Sequence, residues 1–407
     1  MGAVSGASYI TFVQKEILDP LGMNQTRFGV ATFPDGECAR AFRGRDRLPK
    51  ECTNASAAAG LYSTPADMAR LITMLVNGGT VRDTHILDEA SIQEMGRDQT
   101  RNSFNPVPSP LAAFGLGWDT VEQPALRAAG LRAWSIQGET LHYGTSIILV
   151  PSERMGVIVT GASGLTGAAA ATVAERILLR KLVENRIISG MPKAPKDLPG
   201  GALALEKLLP QVSGLYASAE AAYKACPGTF YDTLRLDAFH PGSRSWRTVA
   251  DHLRLRSDGW FVSDEDPETG FRFENAGPRQ YLVQRSTTRF SGIQEVISVK
   301  VTPGNDLDPS WRGLVGGTWM LANALPTSLV PEPQRRLELL TLPGEDKLLF
   351  VSGQGFYPVD GSKAGPLARM MLQIPGRAGH DMDDLQRLNL NGELWLQVGG
   401  RLYRPVR

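Results

Sequence analysis

Residues 8–26 read Ser-Tyr-Ile-Thr-Phe-Val-Gln-Lys-Glu-Ile-Leu-Asp-Pro-Leu-Gly-Met-Asn-Gln-Thr. The first two-thirds carry the spacing of an amphipathic helix. That helix runs into Pro20-Leu21-Gly22-Met23, with Thr26 three residues further on. A second helix start follows at Ser63-Thr64-Pro65-Ala66-Asp67: a hydroxyl cap, proline in the first turn and an acid at the positive end of the dipole. Met68, Leu71, Ile72 and Leu75 then repeat at i, i+3, i+4 and i+7, and Asn77-Gly78-Gly79 ends the run. Further on, Thr145–Val150 and Met155–Thr160 read as two strands joined by a turn at Pro151-Ser152-Glu153-Arg154. Ala168–Arg186 reads as a helix whose stripe is Val173, Ala174, Ile177, Leu178 and Leu182.

At 407 residues the chain calls for two or three domains, and 42% hydrophobic with 21% charged residues is a globular balance. Lysines and arginines number 43 against 42 acids, a net charge of +1 that argues against nucleic acid or an anionic membrane as partner. The densest basic run (Arg40, Arg43, Arg45, Arg47, Lys50) is broken by Asp46 and reads as a solvated loop. No apolar run reaches the length of a bilayer span, and the first residues lack the basic and apolar regions of a signal peptide. Cys38, Cys52 and Cys226 show no zinc or redox spacing. Cys38 and Cys52 flank one loop-like segment and are compatible either with a disulfide or with two thiols.

Beyond residue 190 the pattern changes. Residues 190–205 are rich in proline and glycine and read as a linker. Short alternating strands follow, among them Thr233–Leu236, Leu253–Leu255, Trp260–Val262 and Phe271–Phe273. Two stretches, 206–301 and 312–407, are separated by a second linker at 302–311 and look like copies of one module. The first opens Val212-Ser213-Gly214-Leu215-Tyr216 and the second Val315-Gly316-Gly317-Thr318-Trp319. Near their ends stand Gly277-x-Arg279-x-Tyr281-x-x-x-Arg285 and Gly399-x-Arg401-x-Tyr403-x-x-x-Arg407. Each copy is expected to be a small antiparallel barrel with the aromatic near its start packed inside.

Several segments of 1–189, taken together and in order, resemble the serine β-lactamase and penicillin-binding protein family in its class C, DD-peptidase and esterase branch. They are Pro20-Leu21-Gly22-Met23, Ala58-Ala59-Gly60-Leu61-Tyr62-Ser63-Thr64-Pro65-Ala66-Asp67-Met68-Ala69, Phe114-Gly115-Leu116-Gly117-Trp118 and the stretch Ser135–Gly161. The Phe114–Trp118 run is similar to a strand of that family. The layout with two β modules behind is also similar to D-aminopeptidase-like members. The resemblance implies an α+β fold, with residues 1–189 as the C-terminal part of a β-lactamase/transpeptidase-like domain (an antiparallel sheet with helices), followed by the two barrel-like modules. It also implies that the main sheet draws strands from both chain ends, so that 1–189 alone exposes a sheet edge and is poorly stable.

The family's chemistry uses a Ser-x-x-Lys nucleophile and base, a Tyr- or Ser-x-Asn proton relay, and a Lys/His-Thr/Ser-Gly strand beside the scissile carbonyl. No lysine here has serine three residues before it. By the family's interval the third motif falls on Ile136-Gln137-Gly138, with isoleucine in place of the cation. By resemblance Gln137 keeps a hydrogen-bonding side chain, Gly138 a bare backbone, and the N–H of Glu139 is the inherited oxyanion donor. The competing reading is the edge strand of a decayed site. His142 stands nearby, either as a substitute cation or as a structural histidine.

Other signals are bland. Ser103-Phe104-Asn105 falls on the wrong side of Pro-Leu-Gly-Met, and Gly161-Ala162-Ser163-Gly164 is not a nucleophile elbow. His85, His240, His252 and His380 show no metal spacing. Asp264, Glu265 and Asp266 read as a solvated turn, and Trp118, Trp134 and Trp260 as core or groove walls. The expectation is therefore a serine acyl-hydrolase relative acting on a peptide, lactam or ester, without cofactor or metal, lacking its nucleophile motif and inactive in these 407 residues. Its rival is a pseudoenzyme or binding module whose paired β modules recognise a partner or a cell-wall glycan or peptide. By resemblance the compartment is periplasmic or secreted.

Overall fold

The Pro-Leu-Gly-Met segment is a helix end. In the computed structural model, which describes residues 2–29, 38–49, 57, 60–100, 113–140, 142–192, 205–286, 293–301, 305–323, 335–352, 356–372 and 384–406, helix α1 (Tyr9–Val13) continues through a π turn (Gln14–Leu18) into a last turn at Asp19–Leu21. Gly22 closes it at φ 65, the left-handed region where a side chain is strained. The Met23 N–H returns to the Leu18 carbonyl at 2.9 Å, as a Schellman cap requires. Leu18, Leu21 and Met23 are thereby turned inward, each at most 4% exposed.

The segment after the cap docks on the second helix. Strands β1 (Arg27–Phe28) and β2 (Leu61–Tyr62) pair, placing Thr26 beside the start of helix α2 (Pro65–Val76). Thr64 caps that helix by accepting the Asp67 N–H. The Asp67 carboxylate, buried, accepts the Gln25 N–H at 2.8 Å and the Thr26 hydroxyl at 2.9 Å. Thr26 also shares a 2.7 Å hydrogen bond with Ser63. Two motifs some forty residues apart in the chain are thus one buried polar knot.

The sheet of this unit runs β3 (Trp134–Glu139), β4 (Tyr143–Val150), β5 (Met155–Ala162), all antiparallel. Strand alternation sends Ile147 and Leu149 to the α2 side, where they join Leu18, Met23, Ile72, Trp118 and Trp134. It sends Ile148 and Val150 to the other side, against helices α3 (Pro124–Ala128) and α4 (Gly167–Glu184). Gly144 permits close approach there, because a Cβ would lie 2.0 Å from the Leu165 carbonyl oxygen.

Two details depart from expectation. Phe114–Trp118 is a tight turn rather than a strand: Gly117 takes φ 78 and Gly115 bridges to Trp118. The reversal buries Trp118 against Trp134, with ring centroids 5.6 Å apart, and leaves Phe114 and Leu116 outside. On α4 the face carrying Ala174, Leu178 and Leu182 is buried, but Val173 and Ile177 are 45% and 49% exposed. The helix sits on the sheet by the face that includes Ala170, Ala171 and Glu175, which rotates those two residues onto an open flank.

The chain divides into two units, the first drawn chiefly from Met1–Ala194 and the second from Pro195–Arg407. The second unit holds two closed antiparallel barrels of eight strands. Helix α5 (Leu205–Val212) packs Leu205 and Val212 on the interior of the first. Its strands are β6 (Gly214–Ala217), β7 (Ala222–Pro227), β8 (Leu234–His240), β9 (Ser245–Leu255), β10 (Phe261–Val262), β11 (Thr269–Ala276), β12 (Arg279–Ser286) and β13 (Ile293–Lys300). Tyr216, from the opening motif, is fully buried, and its single hydroxyl proton is shared between the Val212 carbonyl and Gln280 Oε1, each 2.7 Å from the phenol oxygen. Burial pushes its phenol up from the usual range.

Helix α6 (Pro309–Arg312) precedes the second barrel: β14 (Thr318–Leu321), β15 (Arg336–Leu342), β16 (Glu345–Ser352), β17 (Phe356–Asp360), β18 (Leu367–Met370), β19 (Leu385–Leu390), β20 (Glu393–Val398) and β21 (Arg401–Pro405). The two opening motifs both lie on first strands, but the Gly-x-Arg-x-Tyr motifs do not correspond. Tyr281 is on the seventh strand of its barrel and Tyr403 on the eighth. What recurs is a hairpin: Gly277 and Gly399 take φ 58 and 57 at the first turn residue, as a two-residue type II′ turn requires, and the tyrosine four residues after the glycine is fully buried.

The barrels share one apolar cluster, with Leu215, Phe239, Tyr281 and Val299 of the first meeting Trp311, Trp319 and Phe350 of the second. Polar ties reinforce it. Lys224 Nζ lies 3.3 Å from both the Pro343 carbonyl and Glu345, and Arg279 donates to the Met371 carbonyl at 3.0 Å. Trp260 is buried between the guanidinium groups of Arg272 and Arg285, at 4.7 and 4.6 Å, so it is core and not a ligand wall.

Candidate active-site strand

The residues that matter for chemistry lie along the outer edge of β3. Thr140 donates to the Tyr143 carbonyl, which fixes the ladder: even-numbered β3 residues turn their backbone groups to β4 and odd-numbered ones turn outward. The outward groups are covered in sequence by residues 119–123. Ser135 exchanges bonds with Thr120, and Gln123 N–H donates to the Ala133 carbonyl. The Gln137 N–H is taken at 2.7 Å by the Asp119 carboxylate. The cover ends there. The Glu139 N–H shares the outward direction and has no partner among the described residues.

Each expected site residue can now be placed. Ile136 turns into the α2-side cluster and is half-buried, an aliphatic side chain in an aliphatic setting. Gln137, Gly138 and Glu139 are exposed, and the space a Gly138 Cβ would enter is open. The Glu139 side chain is turned back: its Oε2 accepts the Gly167 N–H at 2.9 Å, setting a carboxylate on the first turn of α4. Gly167 allows this approach, since a Cβ would stand 3.3 Å from the Gly138 carbonyl oxygen. His142 is half-buried in the turn between β3 and β4, beyond the end of the strand edge.

The same end of the sheet is crossed by residues 38–48. The Tyr143 hydroxyl donates to the Ala39 carbonyl at 2.7 Å, and Ser163 Oγ accepts the Phe42 N–H at 2.9 Å. Arg40, Arg43, Arg45 and Arg47 are solvated there, as the sequence led one to expect. Ser103-Phe104-Asn105, Cys52 and Lys50 lie outside the described residues. Asp119 was not singled out by the sequence: it follows Trp118 in no motif, and only the turn at Gly115–Trp118 carries it to the β3 edge.

Among the described residues no group of three or more His, Cys, Asp or Glu side chains is arranged to hold a metal ion, and no helix is long and apolar enough to cross a membrane.

The Beta-lactamase family model matches residues 1–180. That segment is similar to the β-lactamase family. Two curated relatives, both from Mycobacterium tuberculosis, are "Protein Rv1367c" of strain H37Rv and "Uncharacterized protein MT1414" of strain CDC 1551. Each is 31% identical over 139 residues, covering 30% of this chain and 35% of its own length. The chain therefore spans about a third of the length of the curated relatives it matches. Among solved structures, an octameric penicillin-binding protein homologue from Pyrococcus abyssi is similar at 18% identity and TM-score 0.37, over 74% of this chain and 61% of that one. A β-lactamase/D-alanine carboxypeptidase from Yersinia pestis is similar at 24% identity and TM-score 0.33, over 45% of this chain and 51% of that one. In this segment the strand followed by the Pro turn and a second apolar strand is β4–β5, and β3 is the strand before it.

The Glu139 cap gives a first expectation. Glu139→Ala should lower the stability of the first unit by about 0.5–1 kcal/mol, with Glu139→Gln costing less, since the amide keeps an acceptor but loses the charge. Chemical denaturation of the two variants measures this. A larger loss for Gln than for Ala would show that the carboxylate does not cap α4.

Proposed function

We propose that residues 1–189 contribute the strand that lies beside the scissile carbonyl in a β-lactamase-related serine hydrolase, one that forms an acyl-enzyme on a peptide, lactam or ester. The observation that carries this reading is the outward Glu139 N–H, without a partner among the described residues, at the point where the cover of β3 ends. A backbone donor on a rigid strand, next to a glycine with open space, is the arrangement that stabilises a carbonyl oxygen as it gains charge. Asp119, by holding the neighbouring Gln137 N–H, and Glu139, by anchoring its side chain on α4, keep that strand end from shifting.

The Ser-x-x-Lys pair is not among these 407 residues. A serine hydroxyl without an adjacent base is a poor nucleophile, so these residues alone are expected not to turn over nitrocefin, p-nitrophenyl butyrate or D-alanyl-p-nitroanilide. They are also expected to acquire no acyl mass when incubated with penicillin G. Turnover at a catalytic rate, or a stoichiometric acyl adduct, would refute the reading.

The alternative, a domain that binds without catalysis, draws on Ile136. Its side chain is packed in the core where a substrate-facing cation is expected, a change that absence of the nucleophile does not itself require. Retention of the chain on insoluble peptidoglycan, with no hydrolysis, would favour it.

A further inference from the structure

Among the described residues the two most exposed aromatic side chains are chain neighbours. Phe230, at 60%, and Tyr231, at 83%, stand in the loop between β7 and β8 of the first barrel. Left in water, the rings forgo the burial that normally fixes an aromatic side chain. Polar bonds fix the loop instead. The Gly228 N–H donates to the Thr233 carbonyl at 2.7 Å, and the Thr233 hydroxyl donates to the Phe230 carbonyl at the same distance. Gly228 is needed for that closure, because a Cβ would stand 2.1 Å from Thr233 Oγ1. From β9 the Asp251 carboxylate accepts the Thr229 hydroxyl at 2.6 Å and the Thr229 N–H at 3.3 Å.

The strand beside the loop is bent to meet it. Between the pairs Leu234–Leu253 and Leu236–Ala250, β9 sets three steps against two of β8. The surplus is taken up where His252 adopts φ 55, a left-handed backbone uncommon for histidine. Its imidazole thereby meets the Phe230 ring, with centroids 4.6 Å apart. Two carboxylates flank that imidazole, Asp251 Oδ2 at 3.8 Å from Nε2 and Glu265 Oε1 at 3.6 Å from Nδ1. Glu265 arrives from the loop between β10 and β11, and its side chain is 83% exposed. Three separate segments thus converge on one aromatic and acidic surface.

We propose that this surface binds the arginine side chains of a peptide partner. Segments 228–233, 249–256 and 263–268 together hold six carboxylates and two arginines, and Arg256 is already taken by Asp264 at 3.6 Å. The surplus is negative, so the complementary partner is cationic. A cation held within about 6 Å of an aromatic ring centroid is attracted by the ring itself. Over Phe230 it would also have the Glu265 carboxylate one imidazole away.

Guanidinium suits both halves of the surface. Its flat face stacks on a ring while its edge forks a carboxylate, which the compact lysine ammonium cannot do. A neutral saccharide would stack on the rings but draw nothing from the surplus charge, and an anionic ligand would be repelled. Because the loop is already tied at Thr229 and Thr233, binding orders little new chain. The inference concerns the first barrel alone and stands apart from the hydrolase reading of residues 1–189.

Ligand-observed NMR titration of the full chain tests this, with the terminally blocked peptide Gly-Arg-Gly-Arg-Gly at low ionic strength. Its lysine and citrulline analogues and chitotetraose serve as competing probes. The arginine peptide should bind best, the lysine peptide less well, and the citrulline peptide, equal in shape but uncharged, about tenfold more weakly. Tyr231→Ala and Glu265→Gln should each raise the dissociation constant about threefold. Both side chains are exposed, so circular dichroism and the thermal transition should stay as in the wild type. Asp346→Asn, an exposed acid of the second barrel, should change nothing. Equal binding of the citrulline peptide, or tighter binding of chitotetraose that Tyr231→Ala abolishes, would overturn the proposal in favour of a stacking platform for neutral ligands. Absence of binding, or a loss in Asp346→Asn as large as in Glu265→Gln, would overturn it as well.

Discussion

Asp67→Ala is expected to cost the first unit about 3 kcal/mol. The carboxylate is buried and accepts two hydrogen bonds, one from the partly buried Gln25 N–H and one from the buried Thr26 hydroxyl. Hydrogen bonds to an ionised acceptor contribute about 1.5–3 kcal/mol each, and truncation removes both at once. The effect should propagate, because Thr26 follows the Gly22 cap and Asp67 opens α2, whose Ile72 and Leu75 pack in the cluster that also holds Trp134 of the site strand. Thr26→Val should cost less, about 1–2 kcal/mol, since Gln25 still satisfies the carboxylate. The double variant should lose clearly less than the sum, because the pair shares one bond. Denaturation with hydrogen-exchange mass spectrometry, read on peptides of residues 60–76 and 134–162, gives all three values. Additive losses would mean that Thr26 and Asp67 act independently.

This knot also shows how far the sequence could be read. Thr26 and Asp67 each stand in a recognisable segment, yet nothing in their spacing of forty residues says that one hydroxyl meets the other's carboxylate. Capping was legible because it is local: Thr64, Pro65 and Gly78 act within a turn of where they stand. The β4–β5 hairpin was legible for the same reason, and so were the two barrels, since alternation and turn residues recur along the chain.

Where side-chain direction depends on a distant partner, the reading failed. The exposure of Val173 and Ile177 depends on which face of α4 the sheet accepts, and a helical stripe two residues too wide conceals that choice. Phe114–Trp118 has the look of a strand until the two glycines are required to bring Trp118 onto Trp134. At the site, Ile136–Glu139 could be located by an interval from Pro151. That the Asp119 carboxylate covers Gln137 and leaves Glu139 open is a matter of register across the strand edge, which no local pattern encodes. The Gly-x-Arg-x-Tyr repeat teaches the converse. An identical local motif marks an identical hairpin, yet closure of each barrel assigns it to a different strand.

The second unit offers the sharpest test of how those barrels depend on each other. Trp311 has no exposed surface and sits in the cluster that joins them. Asp308 caps its short helix, and Arg387 lies over the indole at 4.5 Å while donating to the Ser310 carbonyl at 3.0 Å and to the Gly365 carbonyl. Gly361 packs closely beside it, where a Cβ would stand 3.2 Å from Leu307 and 3.4 Å from the Trp311 side chain. Removing the indole leaves a cavity that this framework has little freedom to fill, so Trp311→Ala should cost about 3–5 kcal/mol. Trp311→Phe should cost much less: the indole N–H has no partner among the described residues, so only volume and part of the cation–π contact with Arg387 are lost. Since Leu215, Phe239, Tyr281 and Val299 of the first barrel belong to the same cluster, the loss should lower protection in β6–β13 as much as in β14–β21. Hydrogen exchange confined to the second barrel in the alanine variant would show instead that the barrels are separate cooperative units which merely touch.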